Sequence, residues 1–168
     1  MRKTYFRLVL STLVVVTSCE KDFDKGEQIY FNSFESQSDV VGWEGNAFNF
    51  SGEAPEHGGK QSLCVSGGCV IPHAQYTLGP QNTDCNLIIR FWGRNLSNGG
   101  GVTLSVNKAG GEHIGFDISD KDWTLYESQE MIFCPANTSL TLSMISGGIA
   151  FSSMLIDMID IRRIDINP

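Results

Sequence analysis

The sequence predicts an all-β domain, a sandwich or barrel of about ten short strands with little helix. Three observations carry this. Apolar residues recur at every second position, as where Val102, Leu104 and Val106 alternate with Thr103, Ser105 and Asn107, which is the period of a half-buried strand and not of a helix. Short runs of this kind are separated by clusters of Gly, Asn, Ser and Asp, the punctuation of turns. The 168 residues include 18 glycines but 5 prolines, with 41% hydrophobic and 18% charged residues and no long polar tract. That composition supports one folded core and excludes wholesale disorder.

The expected strands follow in order. Residues 28–34 form the first, ahead of a loop that reaches Gly42-Trp43, and 48–50 form a short second. Residues 62–65 and 70–78 flank Cys64-Val-Ser-Gly-Gly-Cys69, which reads as a hairpin turn. Residues 86–93 are the strongest apolar run, and 95–101 read as a glycine-rich turn after it. Clean alternation marks 102–107 and 113–118, and 123–133, 139–145 and 154–164 complete the set. There are no internal repeats.

The N-terminus carries an address. Arg2, Lys3 and Arg7 precede an apolar stretch, 8–16, interrupted only by Ser11 and Thr12. This is the pattern of a secretory leader, 1–18, and the apolar part is too short for a membrane span. Val16-Thr17-Ser18-Cys19 resembles the bacterial lipobox, which implies cleavage before Cys19 and acylation of its thiol and new amino terminus; the alternative is an ordinary leader with a chance cysteine. Two or more acyl chains anchor a protein stably where one is marginal. Residues 19–27 read as a charged, flexible tether. Its acidic start resembles the surface-export signal of lipoproteins in the Bacteroides and Flavobacterium group. The expected location is the bacterial cell envelope, lipid-anchored in the outer membrane and facing either the surface or the periplasm, with residues 28–168 as the domain. The net charge of −7 becomes more acidic once the leader's three basic residues are removed, which excludes nucleic acid as a partner.

Setting Cys19 aside leaves Cys64, Cys69, Cys85 and Cys134, an even number in an exported, oxidising setting. Three pairings are open. The favoured one joins Cys64 to Cys69 across the expected hairpin, and Cys85, which opens one apolar strand, to Cys134, which closes another. Four reduced, buried thiols are the alternative. Zinc is disfavoured, because no Cys-x-x-Cys pair occurs and His57, His73 and His113 are scattered.

Three blocks then stand in sequence: Phe31-Asn-Ser-Phe34-Glu35-Ser36 with Gly42-Trp43, Glu56-His-Gly-Gly-Lys60-Gln-Ser-Leu63-Cys-Val65, and Met154-Leu-Ile-Asp157-Met-Ile-Asp160-Ile161. Together they resemble the galactose-binding-like jelly rolls of carbohydrate-binding modules, over roughly residues 28–166. Met158, where a second Asp or Asn is common, and the cysteines depart from that pattern. The resemblance implies one structural calcium where the first and last strands meet, held by the carboxylates of Glu35 and Asp157 and the backbone carbonyl of Lys60. A hard cation needs further oxygens from backbone and water. The competing reading has Glu35 accepting backbone N–H bonds while Asp157 pairs with a base such as Arg162.

Strand alternation nominates a ligand face. In 86–93, Leu87, Ile89 and Phe91 form the core set, which leaves Ile88, Arg90 and Trp92 opposite. Thr103, Ser105 and Asn107 likewise oppose their core set, and Tyr126 is out of phase with Trp123 and Leu125. If these strands share one concave sheet, Trp92, Tyr126, Arg90 and Asn107 make a shallow sugar-binding surface. Trp43 and Trp123 are assigned to packing, and His73 and Tyr76 are weaker candidates for a loop site. Catalysis is not expected. Glu127 with Glu130 and Asp157 with Asp160 are carboxylate pairs, but residues three apart on a strand point to opposite faces, whereas glycoside hydrolysis needs two carboxyls converging on one bond. No nucleophile elbow, phosphate loop or His-Glu-x-x-His motif occurs. The expected function is a non-catalytic, glycan-binding envelope lipoprotein accessory to polysaccharide capture. The rival is a structural or adhesin-like module that binds proteins in the envelope.

Overall fold

The computed structural model describes residues 23, 26–67, 69–147 and 151–165. The described residues form twelve strands: β1 (Glu27–Asn32), β2 (Trp43–Gly45), β3 (Phe48–Ser51), β4 (Ser62–Ser66), β5 (His73–Leu78), β6 (Cys85–Ser97), β7 (Gly100–Val106), β8 (His113–Asp117), β9 (Thr124–Glu127), β10 (Ile132–Cys134), β11 (Leu140–Ser146) and β12 (Ser153–Asp165). A 3₁₀ turn spans Gln37–Val40, and among the described residues no helix is long and apolar enough to cross a membrane. The strands form two antiparallel sheets. Sheet A runs β10-β6-β12-β4-β3, with β1 beside β12 and β9 beside β6; sheet B runs β2-β5-β11-β7-β8. This is the all-β sandwich that the alternation predicts, in the jelly-roll form that the resemblance implies.

The two inner faces meet in one core. Sheet A contributes Leu63, Val65, Leu87, Ile89, Phe91, Met154, Ile156, Ile159 and Ile161, and sheet B contributes Ala74, Val102, Leu104, Leu140, Leu142 and Met144. Burying one such aliphatic side chain is worth about 1.5–3 kcal/mol, which pins each strand's register because a slip of one residue turns its whole apolar set outward. The core set on β12 changes phase: Met154 and Ile156 point inward, and so do Ile159 and Ile161. A bulge between Asp157 and Asp160 absorbs the extra residue, with Met158 in the left-handed region at φ 48°.

Three expectations are corrected. Residues 62–65 and 70–78 do not form a hairpin: β4 pairs with β3 and β12 in sheet A, whereas β5 pairs with β2 and β11 in sheet B. The Gly-rich segment between them is a crossover between sheets. Residues 95–101 are not all turn, since β6 continues through Ser97 and only Asn98 and Gly99 reverse the chain, both left-handed at φ 60° and 69°. Residues 123–133 are two strands, not one. Ser128 separates β9 from β10 by bonding Ile89 twice: its N–H donates to the Ile89 carbonyl (2.9 Å) and its Oγ accepts from the Ile89 N–H (3.2 Å).

Candidate functional site

The candidate site lies on the outer face of sheet A. Leu87, Ile89 and Phe91 are buried, so β6 turns Arg90 and Trp92 outward, both half-buried. Trp92 lies opposite Leu125 of β9, and Arg90 lies opposite Asp160 of β12. Asp160 in turn faces Phe31 of β1. With Met158 from the bulge, these residues line a shallow hollow of about 210 Å³. Phe31 and Leu125 stand 49% and 46% exposed, so two apolar side chains line the hollow with the indole instead of joining the core. The polar rim is fixed. Asp160 accepts from Arg90 (3.2 Å), from Arg162 Nε (3.1 and 3.2 Å) and from Gln28 Nε2 (3.0 Å). Both guanidiniums also cover the ring of Phe23, at 4.2 Å and 5.3 Å from its centroid, in a cation–π arrangement. Phe23, which the sequence places in the tether, is 4% exposed and so is docked beside the hollow.

Of the four residues nominated for sugar contact, Trp92 and Arg90 come together and two do not join them. Tyr126 lies opposite Phe91, not Trp92, and stacks on it at 5.4 Å with an interplanar angle of 10°. Phe116 meets the same ring edge-on at 6.3 Å. The Tyr126 hydroxyl donates to Asp120 Oδ2 at 2.9 Å, and burial, followed by Asp120, raises its pKa. Its role is packing. Asn107 follows β7 on sheet B, on the far side of the sandwich, where its amide donates to Ser139 Oγ and its carbonyl accepts from Thr141 Oγ1, both at 3.0 Å. Trp43 packs as expected, edge-on to Phe34 and tilted on Tyr76. Tyr76 also meets Tyr30 at 5.0 Å, and His73 lies on the other sheet from Trp92. The outer face of sheet B carries a register row of small polar residues, Gln75, Ser143 and Thr103, with no aromatic side chain in it. Phe31, Leu125 and Met158 escaped sequence reading. One signal was available, since adjacent Tyr30 and Phe31 on a strand must send one ring outward.

The carboxylates at the bulge form a second feature. Phe34 is left-handed at φ 52° with its N–H held by Asn32 Oδ1 (2.9 Å) and its ring in the core. That turn aims Glu35 at the next loop, where its carboxylate accepts the N–H groups of Lys60 (3.0 and 3.1 Å) and Gln61 (3.2 Å). Asp157 is fully buried. Its Oδ1 accepts the Met158 N–H at 2.7 Å, and its Oδ2 is buried without a hydrogen-bond partner. Burial, with Glu35 nearby as a like charge, pushes its pKa up to about 7. A Cβ at Gly58 would collide with Asp157 Oδ2, and one at Gly59 with Glu35 Oε1, so this glycine pair lets the backbone press on both carboxylates. Non-glycine residues in the left-handed region are uncommon and gather at functional sites; here Phe34 and Met158 each adjoin one of the two acids. Half of the competing reading holds, because Glu35 does take backbone N–H bonds. The other half fails, because Arg162 pairs with Asp160. Among the described residues no group of three or more His, Cys, Asp or Glu has metal-binding geometry. A cation here would therefore rest on two carboxylates plus backbone carbonyls and water. The orphaned Asp157 oxygen, the nearby second acid and the glycine cradle fit a hard cation on those terms. The bulge also corrects a sequence argument: Asp157 and Asp160 lie opposite Trp92 and Arg90, so both face outward.

All four described cysteines are thiols. Cys64 and Cys69 lack the hairpin that would have joined them, and Cys64 Sγ instead contacts Ser153 Oγ at 3.8 Å. Cys134 lies directly opposite Cys85 in the β10–β6 pair, both fully buried. Burial, with the adjoining Cys85 thiol, pushes the Cys134 pKa up to about 11. Cys19 lies outside the described residues.

No protein-family model matches the sequence, and no curated protein matches it. Solved structures share its fold. A family 16 carbohydrate-binding module superposes with a TM-score of 0.55 at 17% identity, over 73% of this chain and 91% of that one. The xylan-binding family 22 module of Paenibacillus barcinonensis gives 0.56 at 16% identity, over 84% and 97%. A family 61 module solved with β-1,4-galactotriose gives 0.51 at 16% identity, over 84% and 94%. The enzymatically active domain of the bacteriophage CBA120 tailspike protein 4 gives 0.59 at 14% identity over 74% of this chain, which spans only 20% of that domain's length. At these identities the likeness establishes a shared jelly-roll sandwich.

Proposed function

We propose that this chain is a non-catalytic glycan-binding module, anchored to the bacterial envelope through acylated Cys19. The carrying observation is Trp92, which stands outside the core between exposed Phe31 and Leu125 with the Arg90–Asp160 pair at its rim. An indole face accepts the apolar face of a pyranose, and fixed charged groups beside it bond ring hydroxyls without having to be ordered on binding. The fold it shares with modules described as xylan-binding, or solved with galactotriose, supports the same reading. Against catalysis, the two outward carboxylates do not converge on one bond: Asp160 is held by two arginines and a glutamine, and Asp157 is sealed from solvent. Calcium at Glu35 and Asp157, with backbone oxygen from the Lys60 loop, would order the bulge that presents Met158 to the hollow. Its part is structural.

The test is a polysaccharide and glycan-array screen of the protein, with calcium and with chelator. Saturable binding that Trp92→Ala removes from a folded protein supports the proposal. A clean negative from folded, calcium-replete protein opposes it and favours a second reading, a protein-binding module. One observation speaks for that reading: Val70, Ile71, Ile145 and Phe151 are exposed on neighbouring segments at one end of the sandwich, bridged by the Phe151 N–H to Gly67 and the Ser146 N–H to Pro72.

A further inference from the structure

Phe31 belongs to two hollows. On one side lies the Trp92 hollow. On the other side of β1 lies a second, of about 300 Å³, lined by Tyr30, Ser33, Ser38, Asp39, Val41 and Tyr76 together with Phe31 and Asn32. The tilted Tyr30–Tyr76 ring pair forms one wall. Asp39 is held there with its Oδ2 accepting the Ser36 N–H at 2.8 Å and its carbonyl accepting Asn32 Nδ2 at 2.7 Å. Hydroxyl groups and one carboxylate beside aromatic rings are the donor set for sugar hydroxyls, and a carboxylate accepts two of them side by side.

We propose that the two hollows are subsites of one tract, which takes an internal stretch of a linear, uncharged polysaccharide and not a chain end or a single sugar. This rests on the glycan-binding reading above and extends it. The tract crosses sheet A from β9 through β6 and β12 to β1, a span of roughly 14 Å at about 4.8 Å per strand step. The second hollow continues it beyond β1. That length covers several sugar rings, and Leu125 towards one end and Val41 towards the other are exposed, so a polymer can enter and leave. Charge selects the ligand. The second hollow holds the Asp39 carboxylate with no Lys or Arg among its lining residues, and the Arg90 cation of the first is already paired with Asp160. A uronate or sulfate group would meet the Asp39 carboxylate in the second hollow with no cation lining it, which penalises acidic glycans there.

The experiment titrates the full-length protein with xylan, β-1,4-galactan and mixed-linkage glucan, with their oligosaccharides from dimer to hexamer, and with polygalacturonate and alginate. Phe31→Ala and Asp39→Asn are compared with Trp92→Ala. Phe31 is half exposed, and an amide at Asp39 keeps an oxygen for the Ser36 N–H, so both variants retain the fold, as circular dichroism would confirm. Affinity for a neutral glycan should rise at least tenfold from dimer to hexamer. Phe31→Ala and Asp39→Asn should each cost tenfold or more for the hexamer, and Asp39→Asn, confined to the second hollow, should cost little for the dimer. Equal affinity for dimer and hexamer, or loss with Trp92→Ala but not with the other two, would leave glycan binding standing and overturn the tract. Preference for polygalacturonate or alginate would overturn the charge argument. No binding to any probe would remove the underlying reading and the tract with it.

Discussion

Replacing Asp157 with asparagine separates two consequences of the buried carboxylate. In chelator, its pKa of about 7 against an ordinary 3.8 means that the folded protein binds a proton the unfolded chain releases between those values. The native state then holds more protons than the unfolded state, so stability falls as pH rises from about 4 to about 7 and is level above that. The displacement of about 3 units corresponds to a ceiling of about 4 kcal/mol, at about 1.36 kcal/mol per unit. Asp157→Asn cannot ionise, so in chelator at pH 8 it should be more stable than the parent, by up to about 4 kcal/mol or a Tm higher by up to about 8–16 °C. At pH 4 the two should melt together. Calcium reverses the order. A bound cation offsets the buried charge in the parent and raises its Tm at pH 8 more than at pH 5, because protons compete for the same oxygens. The variant should not respond. Thermal melts at pH 4, 5 and 8, with EDTA and with millimolar calcium, read all of this. A variant less stable than the parent in EDTA at pH 8, or one that gains as much from calcium, would refute the reasoning.

Three further outcomes are expected. Gly58→Ala should cost about 1–3 kcal/mol and abolish any calcium response, because the added methyl collides with Asp157 Oδ2 and Pro55 in a site with no slack; an unchanged calcium-dependent Tm would count against the cradle. Cys85 and Cys134, directly opposite in register, have the Cα spacing a disulfide needs, and protein from an oxidising compartment should lose about 2 Da by intact mass, with one 85–134 cross-link and none between Cys64 and Cys69. Closing that loop of about 50 residues contributes about 4 kcal/mol, so reduction should lower the Tm; Cys85 and Cys134 both still thiols after oxidative folding would contradict it. Phe91→Ala removes the ring on which Tyr126 and Phe116 pack and should cost about 3–5 kcal/mol in denaturant melts, with a loss below 1 kcal/mol arguing against that cluster as core.

What could be read in advance divides along physical lines. Alternation within one strand is legible because burial of Leu87, Ile89 and Phe91 fixes the opposite face and so turns Arg90 and Trp92 outward. Partnership between strands was not. The Ser66-Gly67-Gly68 run signals that the chain turns, but nothing local says whether the next strand stays in the same sheet, and here it crosses to the other. Asn107 was misplaced for the same reason. Tyr126 was misread because Leu125, the more apolar neighbour, is the residue left outside, its place fixed by pairing with Trp92. The bulge did leave a trace, since Met154 and Ile156 are followed by Ile159 and Ile161, a spacing of three in a series of twos. The hollow across β1 left none, because Tyr30, Asp39 and Tyr76 come from three segments that only the folded sandwich brings together.

The central claim is that glycan binds across the outer face of sheet A at Trp92. Backbone and indole NMR shifts, followed as the first glycan to bind in the screen is titrated in, test it most directly. The account predicts that the Trp92 indole N–H and the amides of Phe31, Leu125 and Met158 move together and saturate at one stoichiometric equivalent. Shifts confined to Gln75, Ser143 and Thr103 on the outer face of sheet B, with Trp92 unmoved, would contradict it.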